Sequence, residues 1–145
     1  MKIKKVNRYW CDHCNKAGLQ SRAMVTHEKH CTMNPARECR VCKLLADGRD
    51  YDFEQKTLAE LLALLPDATA YNANEGWDHH QKLSDALTAC FPEFRKAAGD
   101  CPACMMAALR QAKIPVPMAE GFDFKAEMKS IFDGMNEDRH QGGYY

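Results

Sequence analysis

The apolar positions of this chain recur mostly at helical spacing, in blocks cut by proline, glycine and polar runs. The segment Thr57 to Leu65 (TLAELLALL) predicts a strongly apolar helix stopped by Pro66. From Trp77 to Phe91 the spacing places Leu83, Leu87 and Cys90 or Phe91 on one helical face. Pro92 is expected to interrupt that helix, with Phe94 to Ala98 a short continuation before Gly99. Cys101-Pro102-Ala103-Cys104 opens a further helix over Met105 to Lys113, and Pro102 suits a first helical turn. Ile114 to Pro117 reads as extended. Asp123 to Met135 reads as a last amphipathic helix with Phe124, Met128, Ile131, Phe132 and Met135 as core candidates. Asp67 to Gly76 is polar and predicts a loop.

The first third of the chain is patterned differently. Residues 1–8 read as a basic arm or edge strand. Tyr9 to Cys14 reads as a strand and knuckle, Gly18 as a turn, and Leu19 to Cys31 as a helix with Ser21 a candidate N-cap. Asn34-Pro35 breaks the chain. Glu38 to Leu45 is a second knuckle running into a short turn that Asp47-Gly48 closes. The expected organisation is a basic arm and finger over residues 1–34, a helical domain over 35–135, and a disordered tail over 136–145.

Cysteine usage decides the chemistry. Six of the eight cysteines form C-x2-C pairs: Cys11/Cys14, Cys39/Cys42 and Cys101/Cys104. This spacing lets two thiolates reach one tetrahedral metal from a tight knuckle. His27 and Cys31 follow the first pair in the pattern C-x2-C-x12-H-x3-C. They lie four apart, so a helix turns both toward the same point. His30 competes with Cys31 for the fourth position, but H-x2-H is shorter than the usual spacing, which favours Cys31. Met24 can plug the small core. The other two pairs, Cys39/Cys42 and Cys101/Cys104, make a closed four-cysteine site around a long insertion. Such a site is structural, with no open coordination position for catalysis. A redox role for Cys101 and Cys104 would want a βαβ setting that the pattern does not supply. Cys90 is left over as a core cysteine. The cofactor expected is zinc, two ions, and the fold class a small, mainly α zinc-stabilised protein. It comprises a ββα-like finger and a helical domain stapled by the second site.

Residues 9–31 resemble the Cys-Cys-His-His zinc finger in the variant that ends on cysteine. That family's first core aromatic falls at Gly18, with Leu19 beside it as a stand-in. The wider stretch Met24 to Cys42 (MVTHEKHCTMNPARECRVC) is similar to small zinc-finger proteins of tailed bacteriophages, whose function is mostly unassigned. The pairing of a knuckle with a helix-borne pair resembles the treble-clef plan.

Charge adds a partner to this picture. The net charge is zero, yet residues 1–43 carry ten Lys/Arg against three Asp/Glu, and residues 44–145 carry ten against seventeen. The difference of +7 against −7 points to an anionic partner for the N-terminal part, or to attraction between the two parts. Candidate nucleic-acid contacts are Lys2, Lys4, Lys5, Arg8, Lys16, Arg22 and Lys29. The finger resemblance adds base-reading positions at Gln20, Ala23 and Thr26. Phosphate contacts would dominate, to DNA or RNA alike.

Two other functions fit parts of the pattern. The acidic helical part could present a surface to a protein partner. Asp78-His79-His80, placed between C-x2-C pairs, is similar in order to HNH-type endonucleases, although its context reads as helix and not hairpin. No apolar run approaches the roughly 20 residues that span a bilayer. The start, MKIKKVNRYW, has no apolar stretch behind its charges, so a secretory signal is not expected. The expected location is the cytoplasm, of a bacterial host if the gene is phage-borne. The function expected is non-catalytic, zinc-dependent nucleic-acid binding by a regulatory or accessory factor.

Overall fold

A computed structural model describes residues 1–46, 54, 56–70 and 77–141, the side chains of residue 77 and residues 138–141 excepted. The expected Asp47-Gly48 turn, residues 71–76 of the polar loop and residues 142–145 of the tail lie outside the described residues. The protein is mainly helical, with one small two-stranded sheet near the N-terminus.

The finger comes first. Strand β1 (Tyr9–Trp10) pairs antiparallel with β2 (Ala17–Gly18), matching Tyr9 to Gly18 and Trp10 to Ala17. Helix α1 (Ser21–His30) packs on this hairpin. Its N-cap is Gln20 and not Ser21, and the Gln20 carbonyl accepts from the Met24 N–H at 3.1 Å. The finger core consists of Cys11, Met24 and Cys31, with Cys14 and Met33 against it. Leu19 does not stand in for the missing aromatic: it is 64% exposed. Gly18 leaves its place to Met24, whose Cε would lie 3.4 Å from a Cβ at position 18. Residues 1–8 are exposed and carry no regular structure.

The helical body is built around α5 (Pro102–Gln111). Helices α2 (Arg40–Leu45), α3 (Leu58–Ala63) and α6 (Phe124–Gln141) all contact it. Met105, Ala107, Ala108 and Leu109 of α5 are fully buried. Thr57 and Glu60 start α3 with a reciprocal capping box, which the T-x-x-E spacing permits.

Helix α4 (Trp77–Ala97) continues through Pro92, against the expected interruption. Proline inside a helix costs about 3 kcal/mol through its lost N–H and its ring clash. Here the apolar face continues on both sides of it, through buried Leu83, Leu87, Phe91 and Phe94, while Pro92 points outward. Burying several such side chains at about 1.5–3 kcal/mol each outweighs the local penalty.

Two further boundaries differ from the sequence pattern. Val116–Met118 forms a 3-10 turn where extended chain is expected. Helix α6 continues past Met135 to Gln141, because Asn136 to Gln141 contains no glycine or proline to stop it. That helix is peripheral: Phe132 is 48% exposed, and Phe124, Met128 and Ile131 are half-buried against the core. Arg95 of α4 holds it with two hydrogen bonds to Glu127, at 2.7 and 3.0 Å.

Candidate metal centres

The hairpin and α1 bring the first ligand set together. The Cys11 N–H donates to the Lys16 carbonyl at 3.0 Å, which folds the knuckle back on itself. The His13 N–H reaches the Cys11 Sγ at 3.4 Å, and the Asp12 N–H reaches Glu28 of α1 at 3.0 Å. The knuckle is thus tied to the helix carrying the other ligands. His27 directs its Nε2 to 3.3 Å from the Cys14 Sγ. The donor atoms of Cys11, Cys14, His27 and Cys31 all lie within 4.8 Å of one another.

The Lys16 backbone, and then His27, bring the Cys14 thiol down to about 7. Burial pushes Cys31 the other way. His30 is not a member of this set. Its Nδ1 lies 2.9 Å from the Glu38 carbonyl. A carbonyl only accepts, so Nδ1 carries the proton.

The second set joins a knuckle to a helix start. Cys39 caps α2, and its Sγ accepts from the Cys42 N–H at 3.4 Å. Cys101 and Cys104 flank the first turn of α5, with Pro102 at its first position. Sulfur to sulfur, Cys39 and Cys101 are 3.6 Å apart, and Cys42 and Cys104 are 3.3 Å apart. Disulfides need about 2.05 Å. Tetrahedral zinc with arms of about 2.3 Å sets its sulfurs roughly 3.8 Å apart. Four close thiols cannot ionise independently. Hydrogen bonds from Cys101 and Cys104 drive Cys39 far below the usual thiol range, and sharing with Cys104 and Cys39 drives Cys101 far above it. A divalent cation resolves this conflict by taking all four as thiolates.

Each cluster is able to hold one zinc ion, one with a CCHC and one with a CCCC donor set, and two ions fit the chain. Both sets are closed, so zinc would supply folding energy and rigidity and no open position for a substrate.

The candidate nucleic-acid residues fall into three groups. Lys2, Lys4, Lys5 and Arg8 lie on the exposed arm, and Lys16 is exposed between the strands. Gln20, Arg22, Ala23 and Thr26 are exposed on or beside α1. Two side chains have other commitments: the Thr26 hydroxyl donates to the Arg22 carbonyl at 3.1 Å, and Lys29 pairs with Glu38 at 3.0 Å. Asp78-His79-His80 sits in the first turns of α4, and neither metal-ligand group among the described residues includes it.

One residue beside the second centre escapes the motif pattern. Arg37 points its Nη1 to 3.9 Å from the Cys104 Sγ. A cleft of about 230 Å³ beside it is lined by Arg37, Lys56, Thr57 and three of the four cysteines, Cys39, Cys42 and Cys104. The only sequence signal is that Arg37 lies two residues before a ligand.

No family description, curated protein or solved structure matches this chain. Among the described residues, no helix is long and apolar enough to cross a membrane.

Proposed function

We propose that this protein binds nucleic acid through its zinc-built N-terminal finger and arm, without catalysis, as a phage-type regulatory or accessory factor. The observation that carries this reading is the distribution of charge. Residues 1–43 hold ten Lys/Arg against three Asp/Glu, and Lys2, Lys4, Lys5, Arg8, Lys16 and Arg22 are all exposed. Zinc would keep the finger part of this surface rigid, so its charges need not be ordered anew on binding.

The test is binding of the zinc-loaded protein to labelled DNA and RNA across a salt series. Each phosphate neutralised adds roughly 0.7 to 0.9 to the slope of log affinity against log salt. The combined variant Lys4→Glu, Lys5→Glu, Arg22→Glu is expected to weaken binding to all sequences and to flatten that slope. Unchanged affinity in this variant rejects the reading.

A second reading, a module for a protein partner, draws on Phe132, exposed on α6 within the acidic part of the chain. It predicts retention of a partner by the wild type that is lost with Phe132→Ser.

A further inference from the structure

We propose that the nucleic acid is single-stranded and that Trp10 stacks on its bases from the outer face of the finger hairpin. This deepens the nucleic-acid reading and rests on it. The hairpin register decides which way Trp10 faces. Opposed residues of an antiparallel pair share a face, and successive residues alternate. A side chain at Gly18 would meet Met24, so the face of Gly18 and its partner Tyr9 is the one turned to α1. Trp10 and its partner Ala17 therefore face away from α1.

Trp10 is 58% exposed and contributes nothing to the finger core. Tryptophan is among the more buried residues on average. Here it stands at the end of an exposed arm that carries Lys2, Lys4, Lys5 and Arg8. Exposed cations and an exposed aromatic ring thus adjoin one another along the chain. The α1 face, by contrast, offers Gln20, Ala23 and a Thr26 hydroxyl already bonded to its own helix. Paired bases are stacked on one another and present no open ring to an aromatic side chain. Unpaired bases do, and each has a π-face. Charge along the backbone with an aromatic platform beside it is the chemistry of single-strand binding.

The experiment uses the full zinc-loaded chain and four probes: an oligothymidylate strand, the same strand paired with oligoadenylate, inorganic polyphosphate, and phosphatidylserine vesicles. Trp77→Phe leaves Trp10 as the one tryptophan for fluorescence. The single strand is expected to bind more tightly than the duplex and to quench Trp10. Trp10→Leu should weaken single-strand binding about ten-fold, with duplex and polyphosphate binding unchanged, and Trp10→Phe should restore most of the loss. An unchanged cobalt spectrum at the finger site shows that the variant is folded. Equal affinity for single strand and duplex, or an unaffected Trp10→Leu, overturns the stacking while leaving nucleic-acid binding intact. A blue shift of Trp10 on vesicles without single-strand preference overturns it in favour of a lipid surface. Failure to bind either nucleic acid at low salt overturns this inference and the reading beneath it together.

Discussion

Arg37 stands beside the densest negative charge this chain can assemble. Zinc held by four thiolates carries a net −2, and the CCHC centre carries −1. The guanidinium at 3.9 Å from the Cys104 Sγ, with Lys56 across the same cleft, offsets part of that charge. Residues that support metal ligands in this way are commonly worth about 10–100-fold in metal affinity. Arg37→Ala is therefore expected to lose zinc from the four-cysteine centre to a chelator about ten-fold more readily, with Arg37→Lys in between and the finger centre unaffected. Competition titrations of the two centres, read by cobalt absorption, check this; equal retention by the variant would show that the contact is idle. The same titrations repeated with pH separate the two donor sets. Cys14 is already lowered to about 7, so zinc displaces less proton from it near neutrality. Its thiolate is fully present above the ordinary thiol value of 9.0 and is lost as pH falls through about 7. The finger needs three thiolates and a neutral imidazole, with Cys31 raised, whereas the second centre needs four thiolates, with Cys39 lowered but Cys101 and Cys104 both raised. Affinity of the four-cysteine centre should thus climb more steeply between pH 6 and 8 than that of the finger, and parallel slopes would refute the assignment.

The helix ends of the body obey local rules whose strain can be located. Helix α4 closes with Gly99 in the left-handed region at φ 59°, the Gly99 N–H on the Lys96 carbonyl and the Asp100 N–H on that of Arg95. This is the Schellman arrangement. Helix α5 closes in the same pattern, with Lys113 on Arg110 and Ile114 on Leu109, but there the left-handed residue is Lys113 at φ 58°. A side chain in that conformation costs about 1 kcal/mol. Lys113→Gly is expected to raise stability by about 0.5–1 kcal/mol in denaturant titration, since glycine takes the conformation freely. Thr57→Ala should lower stability by about 1 kcal/mol by removing the α3 cap. Both metal centres were legible from spacing, because a C-x2-C knuckle and a helical H-x3-C fix ligand geometry within a few residues. The helices were legible from their apolar period. Features set by distant packing or by a missing signal were not. The passage of α4 through Pro92 depends on packing against distant residues, the exposure of Leu19 depends on Met24 filling the place beside Gly18, and the end of α6 depends on a missing breaker. Arg37 was invisible for a plainer reason: its sulfur partner lies 67 positions away in the chain.

At the scale of the whole molecule, α5 and the segment after α1 join the two metal centres. The N-terminal end of α5 carries Cys101 and Cys104, while near its other end Arg110 donates to the Thr32 hydroxyl at 3.2 Å and Gln111 to the Thr32 carbonyl at 2.8 Å. Thr32 follows the ligand Cys31. A second link runs through Glu38, next to Cys39. Its N–H donates to the Lys29 carbonyl at 2.9 Å, its carbonyl accepts from His30, and its carboxylate lies between Lys29 and Lys43. The first contact is with Lys29, and both lysines hold the Glu38 carboxyl below its ordinary range. The finger is therefore held to the body at the C-terminal end of α1, which leaves the arm and the outer hairpin face clear. Zinc alone does not provide this hold, because each centre organises only its own neighbourhood. Removing the Thr32 clamp with Arg110→Ala and Gln111→Ala should free the finger to tumble on its own while both metals stay bound. Nitrogen relaxation by NMR would then show shorter correlation times for residues 9–31 than for α5, where the wild type gives one common value. If the two values stay equal in the double variant, the Glu38 link is sufficient by itself. In that case the Glu38 N–H on the Lys29 carbonyl and the Glu38 carbonyl on His30 carry the hold, because the ion pairs of Glu38 with Lys29 and Lys43 are exposed and contribute little.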